Sequence, residues 1–126
     1  MIASESPRIN EPWGTTGLEV LRKTDFPNNR LNRPGTYVVC FGAEWCPVTR
    51  RFMPRFVALK GTLPATFAIA DITDLKDPLW DDFQIRITPS IIVFRDGQIQ
   101  QRIDGRRFLG ITPKALARLD QVLPLQ

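Results

Sequence analysis

The sequence predicts an α/β protein with a central mixed sheet of four to five strands flanked by helices. Three observations support this class. Two apolar stretches rich in β-branched residues are separated by a stretch with helical periodicity, a hairpin signal follows later in the chain, and proline marks the starts of the later helices. A strand, a helix and a second strand in succession imply parallel pairing with a right-handed crossover. The hairpin adds an antiparallel strand, which makes the sheet mixed.

Apolar periodicity predicts the elements of the first half of the chain. The predicted strands are residues 18–21, 37–41 and 67–72. The second of these is apolar throughout, as expected of a central strand that is covered on both faces. Residues 46–60 are predicted to form a helix, because Phe52, Phe56 and Leu59 recur at helical spacing on one face. A brief helical turn is expected at residues 24–27.

Proline and turn residues mark the elements of the second half. Residues 77–83 begin with an Asp-Pro pair, a helix cap followed by proline at the first helical position, which predicts a short helix. Two strands, residues 90–94 and 98–103, flank an Asp-Gly hairpin signal. A last helix is predicted to begin at Pro113 after a threonine cap and to end at Pro124. The predicted order is β-α-β-α-β-α-β-β-α.

The length of 126 residues corresponds to one domain with a buried core. Residues 1–17 contain proline and glycine with little apolar periodicity and are predicted to form an N-terminal arm, which leaves residues 18–126 as the folded domain. No apolar stretch is long enough to span a membrane, and the first ten residues lack the pattern of a secretory signal. We therefore expect a cytoplasmic protein without a membrane partner.

Composition argues against several kinds of partner and cofactor. Seventeen basic and thirteen acidic residues give a net charge of +4, and no aromatic pattern accompanies the basic residues. We therefore expect no nucleic-acid partner. The chain has no histidine and only two cysteines, which argues against a zinc site. We expect neither a metal nor a cofactor.

The residues with the clearest chemistry are 45–49, with the sequence WCPVT. They have the layout of a Cys-x-x-Cys redox motif in which the hydroxyl of Thr49 replaces the second sulfur. Cys46 is predicted to start a helix, where free backbone N–H groups and the helix dipole stabilise a thiolate. Arg50 follows one turn later and either lowers the thiol pKa further or is an ordinary solvated helix residue.

Residues 43–49 (AEWCPVT) resemble the Ala-Glu-Trp-Cys-x-x-Cys motif of the thioredoxin family. The prolines, the hairpin and the glycine that accompany this motif in the family are matched at Pro54, Thr88-Pro89, residues 94–97 and Gly105. The resemblance extends over residues 18–123. It implies a thioredoxin-like fold of three layers, in agreement with the order of elements predicted above.

The resemblance also implies a substrate-binding surface around Cys46. By this resemblance, the Thr88–Pro89 peptide bond is cis, Pro89 packs close to the sulfur, and the Thr88 backbone pairs with an extended substrate segment. Trp45 would be a partly exposed platform beside the thiol, although core packing is the simpler alternative for an indole. Pro47 suits the first helical turn and would belong to the same surface.

Two positions depart from the family pattern. Thr49 replaces the resolving cysteine, so the motif cannot open and close its own disulfide, although its hydroxyl can donate a hydrogen bond to a Cys46 thiolate. Cys40 replaces the buried acid that the family carries six residues before the nucleophile, where it assists proton transfer during resolution. Cys40 is then either a small buried apolar residue or a displaced resolving thiol for Cys46.

These features predict thiol–disulfide exchange through a single nucleophile, Cys46, rather than dithiol reduction. Its partners would be protein thiols and disulfides or glutathione, in isomerase-like or deglutathionylating exchange. The sequence leaves the oligomeric state open. The alternatives are a thioredoxin-fold peptide-binding module that has lost catalysis and a subunit of a larger assembly, for which the arm at residues 1–17 is the only hint.

Overall fold

A computed structural model describes residues 13, 14 and 16–123 of the chain, without the side chains of residues 120 and 122. The predicted N-terminal arm, residues 1–17, therefore lies mostly outside the described residues. Trp13 is described, and its side chain is buried in the core.

The centre of the structure is a mixed sheet of five strands. The strands are β1 (Glu19–Leu21), β2 (Thr36–Gly42), β3 (Thr66–Asp71), β4 (Ser90–Arg95) and β5 (Gln98–Ile103). Their order across the sheet is β1-β3-β2-β4-β5. β3 pairs in parallel with both β1 and β2, whereas β4 pairs antiparallel with β2 and β5. This arrangement confirms the predicted mixed α/β sheet.

The helices differ more from the prediction than the strands do. They are α1 (Pro47–Leu59), α2 (Leu79–Asp82), α3 (Pro113–Leu116) and α4 (Leu119–Val122). Two 3₁₀ turns, Lys23–Asp25 and Pro27–Asn29, occupy the place of the first predicted helix. α2 is shorter than predicted and begins at Leu79, with Pro78 instead of Asp77 as its N-cap. The Asp77 carboxylate still accepts the Leu79 N–H at 2.9 Å.

The prediction of one continuous C-terminal helix is wrong, because the structure has two short helices, α3 and α4. The Thr112 hydroxyl accepts the Ala115 N–H at 3.2 Å and starts α3 as predicted. The N–H of Arg118 then bonds to the carbonyl of Ala115, three residues back, at 3.1 Å. Hydrogen bonds of this 3₁₀ type tighten the chain and interrupt the α-helical ladder between the two segments.

Residues alternate between two apolar clusters on opposite faces of the sheet, which gives three layers. On one face, the sheet packs against α1 and α4, with Phe52, Phe56 and Leu119 as large contributors. On the other face, it packs against the 3₁₀ turns and α2, where Phe26 and Phe83 lie 5.2 Å apart between ring centroids. Both faces of β2 are buried, as expected for a central strand.

Replacement of Phe56 by alanine should destabilise the fold strongly. Phe56 is fully buried, and its ring centroid lies 5.8 Å from that of Phe52 and 5.2 Å from that of Phe67. Phe→Ala substitutions at such positions cost about 3–5 kcal/mol, which denaturant unfolding measures directly. Phe108→Ala is the matched control, because 81% of that side chain is exposed and its loss should change stability by about 0.5 kcal/mol or less. Equal losses at the two positions would contradict the described core.

Candidate active site

Cys46 is the N-cap of α1, at the carboxyl end of β2. The chain leaves β2 at Gly42 and turns tightly, so that the Cys46 N–H donates to the Ala43 carbonyl at 3.1 Å. The Arg50 N–H then donates to the Cys46 carbonyl at 3.1 Å and begins the helical ladder. Only 9% of the Cys46 residue surface is exposed. The thiol is therefore held at the start of a helix of thirteen residues, near the solvent boundary.

Two opposing effects set the pKa of Cys46. Burial of the sulfur is the largest single influence and acts to raise the pKa. Hydrogen bonds from the side chains of Thr88 and Thr49 and from the backbone at Thr49 and Val48 act to lower it, and together they outweigh burial. The pKa of Cys46 is therefore lower than that of an ordinary cysteine. The Thr88 carbonyl, which accepts the thiol proton at 3.6 Å, favours the neutral form, so the lowering comes from the donors.

Thr49 lies directly beneath the thiol and is completely buried. A Cβ atom at Gly42 would lie 2.8 Å from the Thr49 methyl group, so the side chain packs tightly against the end of β2. The Thr49 hydroxyl has no hydrogen-bond partner among the described residues in this geometry. The hydroxyl is therefore available to donate to a Cys46 thiolate, which is a far stronger acceptor than a neutral thiol.

The segment from Thr88 to Ser90 forms the second side of the site. The Thr88–Pro89 peptide bond is cis, and both residues are buried. The Ser90 hydroxyl donates to the Ile87 carbonyl at 2.7 Å and accepts the Gly105 N–H at 3.0 Å. A Cβ atom at Gly105 would lie 2.2 Å from the Pro89 carbonyl oxygen, so only glycine permits this approach. These contacts fix the backbone that faces the Cys46 sulfur.

Trp45 lies beside the thiol with 49% of its surface exposed, and Pro47 is exposed as well. The Trp45 indole N–H donates to the Thr73 carbonyl at 2.8 Å. The indole stacks on Trp80, with 6.4 Å between ring centroids and an interplanar angle of 12°. Its position is therefore fixed by a hydrogen bond and a ring contact while one face stays accessible to solvent.

Cys40 and Arg50 lie apart from this arrangement. Cys40 is fully buried within β2, and burial raises the pKa of its thiol. Both cysteines are free, so no disulfide joins Cys40 to Cys46. Arg50 is exposed and borders a groove with Trp13 and Met53. The principal influences on the Cys46 pKa are burial and hydrogen bonds, and the predicted charge effect of Arg50 is not among them.

Sequence reasoning missed two features of the site. Trp80 lies within the predicted helix at residues 77–83, and its indole N–H, which needs an acceptor, is a signal of a more exposed position. The loop 106–110 is the second feature. A Cβ atom at Gly110 would lie 2.6 Å from the Val48 side chain and 3.6 Å from Pro89 Cδ, so this loop borders the thiol. Its signal was the Phe-Leu pair between two arginines and a glycine.

Within the described part of the chain, no group of three or more acidic, histidine or cysteine side chains could hold a metal ion. Across the same residues, no helix has the length and apolar character that crossing a membrane requires.

The fold and the site together define a thioredoxin-fold protein with a thiol at a helix N-terminus. The thioredoxin family model matches residues 17–113. A thioredoxin H-type of Populus jackii is 28% identical over 123 residues, which is 95% of this chain and 88% of that protein. Protein disulfide-isomerase A3 of Gallus gallus is 30% identical over 98 residues, which is 75% of this chain and 19% of the relative.

A solved structure gives the same result for the fold. Oxidised mitochondrial thioredoxin 3 of Saccharomyces cerevisiae superposes with a TM-score of 0.68 and 22% identity, covering 90% of this chain and all of that one. The chain belongs to the thioredoxin family, whose members are thiol–disulfide oxidoreductases.

Thr49→Val should raise the pKa of Cys46, because the substitution removes a hydroxyl donor and keeps the side-chain shape. We expect alkylation of Cys46 at neutral pH to become several-fold slower, and the pH profile of the rate to move to higher pH. Stability should change by less than about 1 kcal/mol, since the lost hydroxyl is buried without a partner in the thiol state. An unchanged pH profile would show that Thr49 does not stabilise the thiolate.

Proposed function

We propose that this protein carries out thiol–disulfide exchange through Cys46 alone. The observation that carries the proposal is a thiol whose pKa is lowered by hydrogen bonds, with a threonine in the position of the second cysteine. A thiolate is the nucleophile in disulfide exchange, so a lowered pKa keeps more of the thiol reactive at neutral pH.

The reaction has two exchange steps. The Cys46 thiolate attacks one sulfur of a substrate disulfide, a new disulfide forms between Cys46 and that sulfur, and the other sulfur leaves as a thiolate. An external thiolate then attacks the mixed disulfide and takes the substrate sulfur, which releases the Cys46 thiolate. One disulfide is exchanged for another, so the protein undergoes no net oxidation or reduction.

Release by an external thiol follows from the surroundings of Cys46. The Thr49 hydroxyl cannot replace a thiolate in the attack on a disulfide, and no sulfur other than that of Cys46 lies in the motif. Cys40 is a poor internal alternative, because it is fully buried and burial raises the pKa of its thiol. Glutathione or a protein thiol would supply the second thiolate, which corresponds to isomerase-like or deglutathionylating exchange.

Protein thiols and disulfides are the substrate class that the surroundings of Cys46 favour. The exposed faces of Trp45 and Pro47 and the fixed backbone at Thr88 and Pro89 form a surface suited to an extended peptide segment. A relative, protein disulfide-isomerase A3, carries an isomerase name, which is consistent with exchange on proteins. The cytoplasmic location expected from the sequence stays a prediction.

The alternative function is a binding module without catalysis. The half-exposed Trp45, stacked on Trp80, supports it, because such an aromatic surface binds peptides with or without a reactive thiol. The lowered pKa of Cys46 favours exchange, since a binding module does not require it.

The proposal predicts a mixed disulfide that persists until an external thiol is added. Reduced protein is mixed with a glutathionylated peptide, and intact mass spectrometry follows the adduct on Cys46. Wild-type protein should hold the adduct, and glutathione should then release it. Thr49→Cys should release the adduct without added thiol and leave an internal disulfide, because it restores a second sulfur one helical turn away.

Two further variants complete this experiment. Cys46→Ser should form no adduct, and Cys40→Ala should behave as the wild type does. Release from wild-type protein without added thiol, abolished by Cys40→Ala, would show that Cys40 is a resolving thiol and that the single-nucleophile mechanism is wrong. The absence of any adduct on wild-type protein would favour the binding module.

A further inference from the structure

A cleft lies between helix α1 and the loop 106–110, and we call it the Phe108 cleft. Its walls are Arg51 and Arg55 of the helix and Phe108 and Leu109 of the loop, and its volume is about 220 Å³. Trp45 lies on the other side of the thiol. Its indole bonds to Thr73, which follows β3, whereas the loop 106–110 follows β5. β3 and β5 lie on opposite sides of the central β2–β4 pair. The function proposed above makes no use of the Phe108 cleft.

The loop 106–110 holds two large apolar side chains out to solvent. The backbone groups of Arg106 and Gly110 bond to each other at 2.8 and 2.9 Å, which closes the loop. At its tip, Phe108 has a φ of 66° and is 81% exposed, and Leu109 is 62% exposed. A left-handed conformation is unfavourable for phenylalanine, and exposed apolar side chains grouped in this way are typical of binding surfaces.

The other wall of the Phe108 cleft is basic. Val48, Arg51 and Arg55 are separated by three and four residues, so they lie on one face of α1. Both arginines are exposed, and neither forms an ion pair with a residue that the structure describes. Arg106 and Arg107 add two exposed guanidinium groups on the loop, likewise without a salt bridge to any described carboxylate.

The Phe108 cleft is continuous with the site of the thiol. Gly110 of the loop packs closely against this site, since a Cβ atom added to it would lie 2.6 Å from the Val48 side chain and 3.6 Å from Pro89 Cδ. Val48 follows Cys46 by two residues on the same helix. A peptide segment whose sulfur reaches Cys46 can therefore place its neighbouring residues directly in this cleft.

We propose that the Phe108 cleft docks an acidic, apolar segment of the partner protein, next to the cysteine that reacts with Cys46. An apolar side chain of the partner packs against Phe108 and Leu109, and its carboxylates face Arg51 and Arg55. On the opposite side of the thiol, Glu44 and Asp74 are exposed carboxylates that repel the same segment and so fix its direction. The identity of the reacting cysteine rests on the proposed function, whereas the docking does not.

Two matched peptides test the proposal. Each has a central cysteine activated as a thiopyridyl disulfide and a leucine beside it, and they differ only in carrying aspartates or lysines. Release of thiopyridone gives the rate of mixed-disulfide formation with wild-type protein. We expect the acidic peptide to react about tenfold faster at low ionic strength, and we expect the difference to shrink as salt is added. A neutral activated disulfide of a small alcohol thiol serves as the reference for Cys46 itself.

Charge-reversal variants locate the effect. Arg51→Glu combined with Arg55→Glu should abolish the preference for the acidic peptide and leave the rate with the neutral reference unchanged. The control combines Arg30→Glu with Arg95→Glu, which changes net charge equally. Arg95 pairs with Thr36 at the start of β2, and Leu31, the neighbour of Arg30, donates to the Gly97 carbonyl in the hairpin. Both control positions therefore lie at the end of the sheet opposite Cys46. This control should keep the preference, and Phe108→Ala should weaken it.

The outcomes separate docking from chemistry. If the neutral reference reacts but the two peptides react equally, or if the Arg51/Arg55 double variant keeps the preference, the docking proposal is wrong. If the neutral reference does not react, the proposed function fails. Docking is then decided by fluorescence anisotropy with Cys46→Ser and the unactivated peptides, where tighter binding of the acidic peptide supports it and equal binding overturns it.

Discussion

The hydrogen bonds that stabilise negative charge on the Cys46 sulfur are the interaction on which this site depends. Burial next to the sheet opposes a thiolate, and donors at the start of α1 and from Thr88 overcome that opposition. The donors of α1 reach the sulfur because β2 ends at Gly42 and the chain turns within a few residues into a helix, whereas Thr88 reaches it from the segment before β4. Cys40 is the contrast within the same chain. It has burial without donors, and its pKa is raised.

Close packing keeps those donors in position. Thr49 packs on Gly42 beneath the thiol, and Gly105 allows the Pro89 carbonyl to approach more closely than any side chain would permit. Gly110 brings a third segment against Val48 and Pro89. The contacts of Gly105 and Gly110 join segments that lie further apart in sequence, and a Cβ atom at any of the three glycines would force a neighbouring segment outward. The lowered pKa of the thiol therefore depends on the packing of its surroundings as well as on the motif.

The sequence predicted those parts of the fold that depend on local signals. The uniformly apolar residues 37–41 correctly indicated a central strand, and the Asp-Gly pair between residues 90–94 and 98–103 correctly indicated a hairpin. The resemblance to the thioredoxin family located most of the segments that meet at the thiol, because the matched residues are spread over positions 43–105. The break between α3 and α4 had no local signal, since Ala117 and Arg118 are good helix formers. The stacking of Trp45 on Trp80 and the placement of the loop 106–110 arise from contacts between distant segments, which periodicity does not encode.

The most direct test of a stabilised Cys46 thiolate is a pH titration of thiolate absorbance in the folded, reduced protein. We predict that one thiolate forms with a midpoint below that of an unperturbed cysteine. Cys46→Ser should remove this transition, and Cys40→Ser should leave it in place, because the Cys40 thiol is buried without a donor. A midpoint at or above that of an unperturbed cysteine, or a transition that disappears with Cys40→Ser, would show that hydrogen bonds do not stabilise a Cys46 thiolate.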